Sequence, residues 1–294
     1  MSAAEVLTGP GELGTAQPGT SRQTLVGGRF LLSELGMLLR RRRNQLILLV
    51  LAAVPIIIGI AVKVTVDPNS STDGLIADIS QNGIFVAFTA LVVVIPVFLP
   101  MAIAVVSGES ISGEANQGTL RYLLTVPVGR TRLLVVKFLA AAFWCVTISA
   151  TVAVSGVLIG LILFPVGKVT LLSGTQTSMI SGIGRLLIVV GYASLMMLAI
   201  AAIGLFISTL TEVPIAAMAA TLTVAIVMQV LVAVPQLHAI HGLMISDYFL
   251  NFGDVIRDPL VLTGLTKGVL VALAYLVIFF SLAWSRFTTK DVTS

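Results

Sequence analysis

Charge is what this chain has least of. Of its 294 residues only 10% are Asp, Glu, Lys or Arg, while 57% are hydrophobic and the mean hydropathy is +1.08. A soluble domain carries roughly a quarter charged residues, so a water-facing globule is excluded and the chain reads as an integral membrane protein. Cysteine is nearly absent as well. The single Cys145 lies inside an apolar run, which excludes an intrachain disulfide and a cysteine metal cage; it reads as a small core residue. Residues 1–24 lack the basic start and short apolar core of a signal peptide. Rich in Gly, Pro, Ser and Thr, they read as a disordered cytosolic tail.

Other absences bear on chemistry. Ionisable groups near mid-membrane are costly and mark ion-coupled carriers, yet the apolar cores of the second, fourth and fifth long runs hold none. The third has only Lys137 and the first only Lys63, each close to an end. A phosphate-binding loop needs G-x-x-x-x-G-K-[ST]. The nearest fragment, Gly167-Lys168-Val169, lacks the hydroxyl residue and has Ile162 where the first Gly belongs. No Ser-His, paired-Asp or His-Glu-x-x-His set lies in the apolar runs, which leaves nothing for an intramembrane enzyme to use. The expectation is a non-catalytic chain with no cofactor of its own and no metal.

Six apolar runs are present, near 45–66, 84–106, 133–164, 184–210, 214–234 and 267–285. Each meets or approaches the roughly 20 residues that cross a bilayer. The expected fold is an all-α polytopic membrane protein with a transmembrane domain over 45–285 and a short cytosolic tail at 286–294. Thr211-Glu212-Val213-Pro214 is the only break between the fourth and fifth runs, which predicts a tight helical hairpin with Pro214 in the first turn.

Ahead of the spans, residues 25–44 place Leu31, Leu32, Leu35, Leu38 and Leu39 at helical spacing, with Glu34 and the Arg40–Arg43 run off that stripe. This predicts an amphipathic helix in the interface plane. The arginines pin the end of the first span or bind anionic lipid. Twelve Lys and Arg fall on the side of the termini and of the 108–132 segment, against five on the other. The positive-inside rule therefore puts both termini in the cytoplasm. Between the last two spans, 235–266 mixes Leu243, Met244, Tyr248 and Phe252 with His238, His241, Asp247, Asp254 and Arg257. That mixture predicts short external or re-entrant helices packed against protein.

The most informative stretch runs from Gly108 to Lys137. It is polar, too charged to span, and patterned: Leu120, Leu123 and Leu124 fall at i, i+3, i+4 and give one apolar face that suits a partner's groove. Glu109 and Glu114 are read as lying near the helix start, where the dipole favours acids. Arg121, Arg130 and Arg132 supply rim charges that set a partner's register. The same pattern also fits a loop lying on anionic lipid. In order the segment shows Glu114, Gly118-Thr119-Leu120, Leu123-Leu124, Pro127-Val128-Gly129-Arg130 and Lys137. This resembles the permease subunits of the ABC-2 type, which work with a separate ATPase chain; an extra Gly129 lengthens the turn before the Arg.

The resemblance implies a bacterial inner-membrane ABC exporter subunit. Its 108–132 coupling helix engages two cytosolic ABC ATPase subunits through Glu109, Glu114, Gly118, Thr119, Leu120, Arg121, Leu123, Leu124, Pro127 and Arg130. ATP and magnesium belong to that ATPase. A second copy or a related permease completes a dimer around a central pathway, lined by spans two and five, for a hydrophobic or amphipathic substrate. Membrane lipid is the other partner, and nucleic acid is not one. A different class of function uses the same helix: a non-transporting membrane anchor or sensor that recruits a signalling protein.

Weaker signals remain. His238 and His241 are three apart, as metal ligands on one helix face would be, but they have no obvious third ligand. Gly156 and Gly160 form a GxxxG pair suited to close helix packing, with a dimer interface as one use. Asn69-Ser70-Ser71 has the form of a glycosylation acceptor, which a bacterial origin makes irrelevant. Pro55, Pro96 and Pro100 are expected to kink their helices, as hinges or as packing irregularities.

Overall fold

The computed structural model describes residues 21–65, 82–118, 130–164, 169–170, 176–256 and 262–289. Helix α1 (Ser21–Arg40) precedes α2 (Arg42–Thr65), α3 (Ile84–Asn116), α4 (Arg130–Leu163), α5 (Met179–Leu210), α6 (Pro214–Ala233), the single turn α7 (His238–His241) and α8 (Thr263–Thr289). Six of these, α2 to α6 and α8, are long and apolar enough to cross a membrane. The only strand pairing among the described residues is a two-residue antiparallel ribbon, Val169–Thr170 with Gln176–Thr177. The protein is an all-α polytopic membrane protein.

The helices extend beyond the apolar runs. Helix α1 begins at Ser21, so residues 21–24 are helical and not tail, and α8 continues through Thr289 past the expected start of the C-terminal tail. The largest difference is at α3, which runs to Asn116 where the apolar pattern ends near Val106. Thirty-three residues at 1.5 Å each make about 50 Å, some 20 Å more than the hydrocarbon core. The last three turns are therefore free to be polar without ceasing to be helix.

Helix α3 is the centre of the bundle. It packs against α2, α4, α5 and α6, and its large side chains Phe85, Phe88, Leu91, Ile95, Leu99 and Ile103 are almost fully buried. Helices α2, α6 and α8 lie outside and leave most of their surface apolar and uncovered, as lipid-facing helices do. Small residues bring the backbones together. A Cβ on Gly83 would sit 2.2 Å from the Gly160 carbonyl oxygen, and one on Gly156 would sit 2.6 Å from the Ala87 Cα. The Gly156/Gly160 pair thus joins α4 to α3 within one chain, and this contact already accounts for the motif.

Residues 235–256 form short turns whose Ile245, Phe249, Phe252 and Val255 are buried against the bundle. Tyr192 donates to the Tyr248 carbonyl at 2.7 Å and Tyr275 to the Leu243 carbonyl at 2.9 Å, tying this segment to α5 and α8. The rings of His238 and His241 lie 5.5 Å apart between centroids, tilted by 56°, and His241 Nε2 lies 3.2 Å from the Val234 carbonyl. No group of three or more His, Cys, Asp or Glu side chains suited to a metal occurs among the described residues.

Candidate functional site: an ionic junction at the base of α3 and α4

The polar stretch singled out by the sequence is divided between two helices. Gly108–Asn116 closes α3, Gly118 ends it with a φ of +68°, and Arg130–Lys137 opens α4. A left-handed glycine just past the last turn is a common way to stop a helix. Thr119, Leu120, Arg121, Leu123, Leu124 and Pro127 lie outside the described residues.

This corrects the reading of the two glutamates. Glu114 sits in the closing turn of α3, at the negative end of its dipole, where acids are disfavoured, and Glu109 lies about two turns before that end; neither is near a helix start. Each is neutralised from another helix. Glu109 accepts from Arg41 at 3.1 Å and also from Arg43, both at the corner between α1 and α2. Lys137, on the second turn of α4, is only 7% exposed and pairs with both Glu114 of α3 and Glu34 of α1. A buried lysine between two carboxylates is a strong constraint, since removing one member leaves an uncompensated buried charge. The charges sum to zero, three acids against three bases.

The junction encloses a cavity of about 60 Å³ lined by these six charged residues and by Asn44, among others. Asn44, at the start of α2, is buried and donates to the Leu38 carbonyl at 2.8 Å, which fixes the turn from α1 into α2. Below it, Ile111, Leu133, Leu134, Leu205 and Phe287 form a separate small apolar cluster with Phe30, Phe138 and Phe280 packed against it. This cluster binds the ends of α1, α3, α4, α5 and α8 to one another. Arg130 donates to the Thr288 carbonyl at 3.0 Å, so it serves the closing turn of α8.

Two further contacts hold α3 to its neighbours. Ser208 Oγ of α5 accepts from the backbone N–H groups of Ile111 at 3.0 Å and Ser112 at 2.9 Å. A side chain inserted against helical N–H groups is a recognised cause of bending. Gly108 lies so close to α6 that a Cβ there would be 2.7 Å from the Met218 nitrogen.

Sequence reasoning did not find Glu34, Arg41 and Arg43 as members of this junction. The available signal was Glu34, an acid on an otherwise apolar helix, and Lys137, an ionisable residue inside an apolar run. Ser208 gave no signal, because a serine in an apolar helix is ordinary.

Six apolar helices with α3 buried among them, stitched by small residues and closed at one end by an ionic junction, define a polytopic helical membrane protein. A family model described as ABC-2 family transporter protein matches residues 37–228, and the chain belongs to that family. It is the membrane component, the permease subunit, of an ABC transporter. No curated protein is similar enough to the chain to count as a relative.

Proposed function

We propose that this permease is the membrane half of an ATP-driven exporter, in which the ionic junction passes movement of the 119–129 segment to the rest of the bundle. The observation that carries the reading is Lys137 held between Glu34 and Glu114, with Glu109 held by Arg41 and Arg43 beside it. Residues 119–129, with Leu120, Leu123 and Leu124, connect α3 to α4, the helices that carry Glu114 and Lys137. A partner that displaces the segment therefore acts on α1, α2, α3 and α4 together.

In this reading two cytosolic ABC ATPase subunits bind ATP and magnesium, and each seats one such segment in a groove. Gly118, Thr119, Arg121, Pro127 and Arg130 shape and orient the docking element, while Glu109 and Glu114 act from behind it. The chain itself hydrolyses nothing. Two copies, or one copy and a related permease, face one another around a pathway for a hydrophobic or amphipathic substrate. The excess of Lys and Arg on the side of the termini supports a multi-pass placement in a bacterial inner membrane with both ends cytoplasmic. In that placement α1 rests along the interface.

The test is co-purification in mild detergent with the ATPase encoded nearest the gene, comparing the wild type with Leu120→Asp/Leu123→Asp at matched membrane levels. Retention by the wild type and release by the variant is the expected result. Equal binding by both, or no ATPase on either, would overturn the reading and favour a membrane anchor that recruits a signalling protein.

A further inference from the structure

The four consecutive arginines at the corner of α1 and α2 are not equivalent. Arg41 and Arg43, though still about half exposed, each engage Glu109. Arg40 and Arg42, one residue out of step, are exposed and pair with no carboxylate among the described residues. The corner thus divides its charge, with two cations consumed within the fold and two left over.

The surface beside the free pair is apolar. Leu32 is 69% exposed and Met37 is 49% exposed on α1, with Leu46 uncovered at the start of α2. Leu32, Ser33, Gly36, Met37, Arg40 and Arg41 line an open groove, and nothing lies within 4 Å of a Cβ built on Gly36. Of the free pair, Arg40 lines this groove and Arg42 is exposed two residues further along the corner; a cation beside exposed leucine and methionine matches a ligand that is anionic at one end and apolar at the other. Guanidinium groups hold phosphate oxygens in forked geometry, and the corner lies at the end of an apolar span, at headgroup depth.

We propose that this corner binds one anionic phospholipid, its phosphate taken by Arg40 and Arg42 and its chain laid against Leu32 and Met37. The site is independent of the ATPase reading. Two unpaired cations disfavour a zwitterionic headgroup, whose own cation they would repel. Glu109 limits the site by occupying the other two arginines. Loss of that carboxylate frees Arg41 and Arg43 and strengthens lipid binding.

The full chain, purified in a non-ionic detergent, is titrated with fluorescent phosphatidylglycerol and separately with fluorescent phosphatidylcholine, so the outcome does not depend on which way the chain faces in a membrane. Phosphatidylglycerol should bind more tightly, and millimolar inorganic phosphate should not displace it. Arg40→Gln/Arg42→Gln should weaken its binding on the order of twentyfold, about fivefold for each arginine at a lipid surface. Glu109→Gln should strengthen it. Equal affinity for the two lipids, a loss under twofold in the double variant, or no gain in Glu109→Gln would overturn the proposal. Displacement by phosphate would assign the site to a free anion instead. If the double variant aggregates, the gain or its absence in Glu109→Gln decides the matter.

Discussion

Gln229 of α6 donates its side-chain amide to the backbone carbonyl of Pro96 in α3. Pro100 stands four residues further along α3 and has no N–H to give, so the Pro96 carbonyl loses its normal helical donor. The glutamine supplies from a neighbouring helix, at a part-buried contact, what the proline removed.

Gln229→Leu should therefore destabilise the protein by about 1 kcal/mol, the scale of interhelical hydrogen bonds in membranes. Pro100→Ala restores the helical donor, and in that background the same change should cost much less. A double-mutant cycle of unfolding in bicelles reads the difference. Additive effects would show that the bond contributes nothing.

Lys137→Met leaves Glu34 and Glu114 facing each other without their cation. Breaking a buried ionic group in this way costs on the order of 3–5 kcal/mol, and thermal unfolding in detergent should fall accordingly. Replacing all three, with Glu34→Gln and Glu114→Gln added, should recover most of the loss. If the single and triple variants unfold alike, the lysine is not held by these carboxylates.

The glycines fall into two groups. Gly160→Ala drives a methyl into the Gly83 carbonyl at 2.0 Å, backbone against backbone, and overpacking of this kind costs about 1–3 kcal/mol or more. Gly191, within α5, has nothing within 4 Å of its Cβ position. Gly191→Ala should stabilise by up to about 1 kcal/mol through helix propensity alone. Expression level and melting temperature should move in opposite directions for the two variants.

A fourth prediction separates structure from coupling. Arg130→Ala removes the donor to the Thr288 carbonyl and should loosen the end of α8 by about 1 kcal/mol. Limited proteolysis of the C-terminal residues reports that loosening. Protection unchanged from wild type would show that Arg130 does not secure that helix end.

Hydropathy made the six spans readable, because apolar runs of this length admit few other structures. It placed the boundary at Pro214 correctly, where a proline opens α6. Hydropathy alone does not show that residues 107–116, polar as they are, continue the same helix. Polar residues are good helix formers once their charges have partners, and those partners, Arg41, Arg43 and Lys137, lie in distant parts of the sequence. The glycine pair of α4 was legible as a close-packing motif, but its partner helix was not, since a GxxxG pattern does not say what approaches it. Likewise Gln229 and Ser208 meet α3 through carbonyl and N–H groups that every residue carries.

The contact of Gly83 with Gly160 has a mechanical consequence when taken with Lys137 and Glu114. Helices α3 and α4 touch backbone to backbone near one end and are pinned by an ion pair near the other, with about 35 Å of α4 and about 47 Å of α3 between. A hairpin fastened at both ends cannot open like scissors and swings as a single beam. Turning that beam by about 5° moves its far end by about 3 Å, the scale of a helix shift. Sliding would then fall where the beam meets α2, α5 and α6, the last two held to it by the serine and glycine contacts.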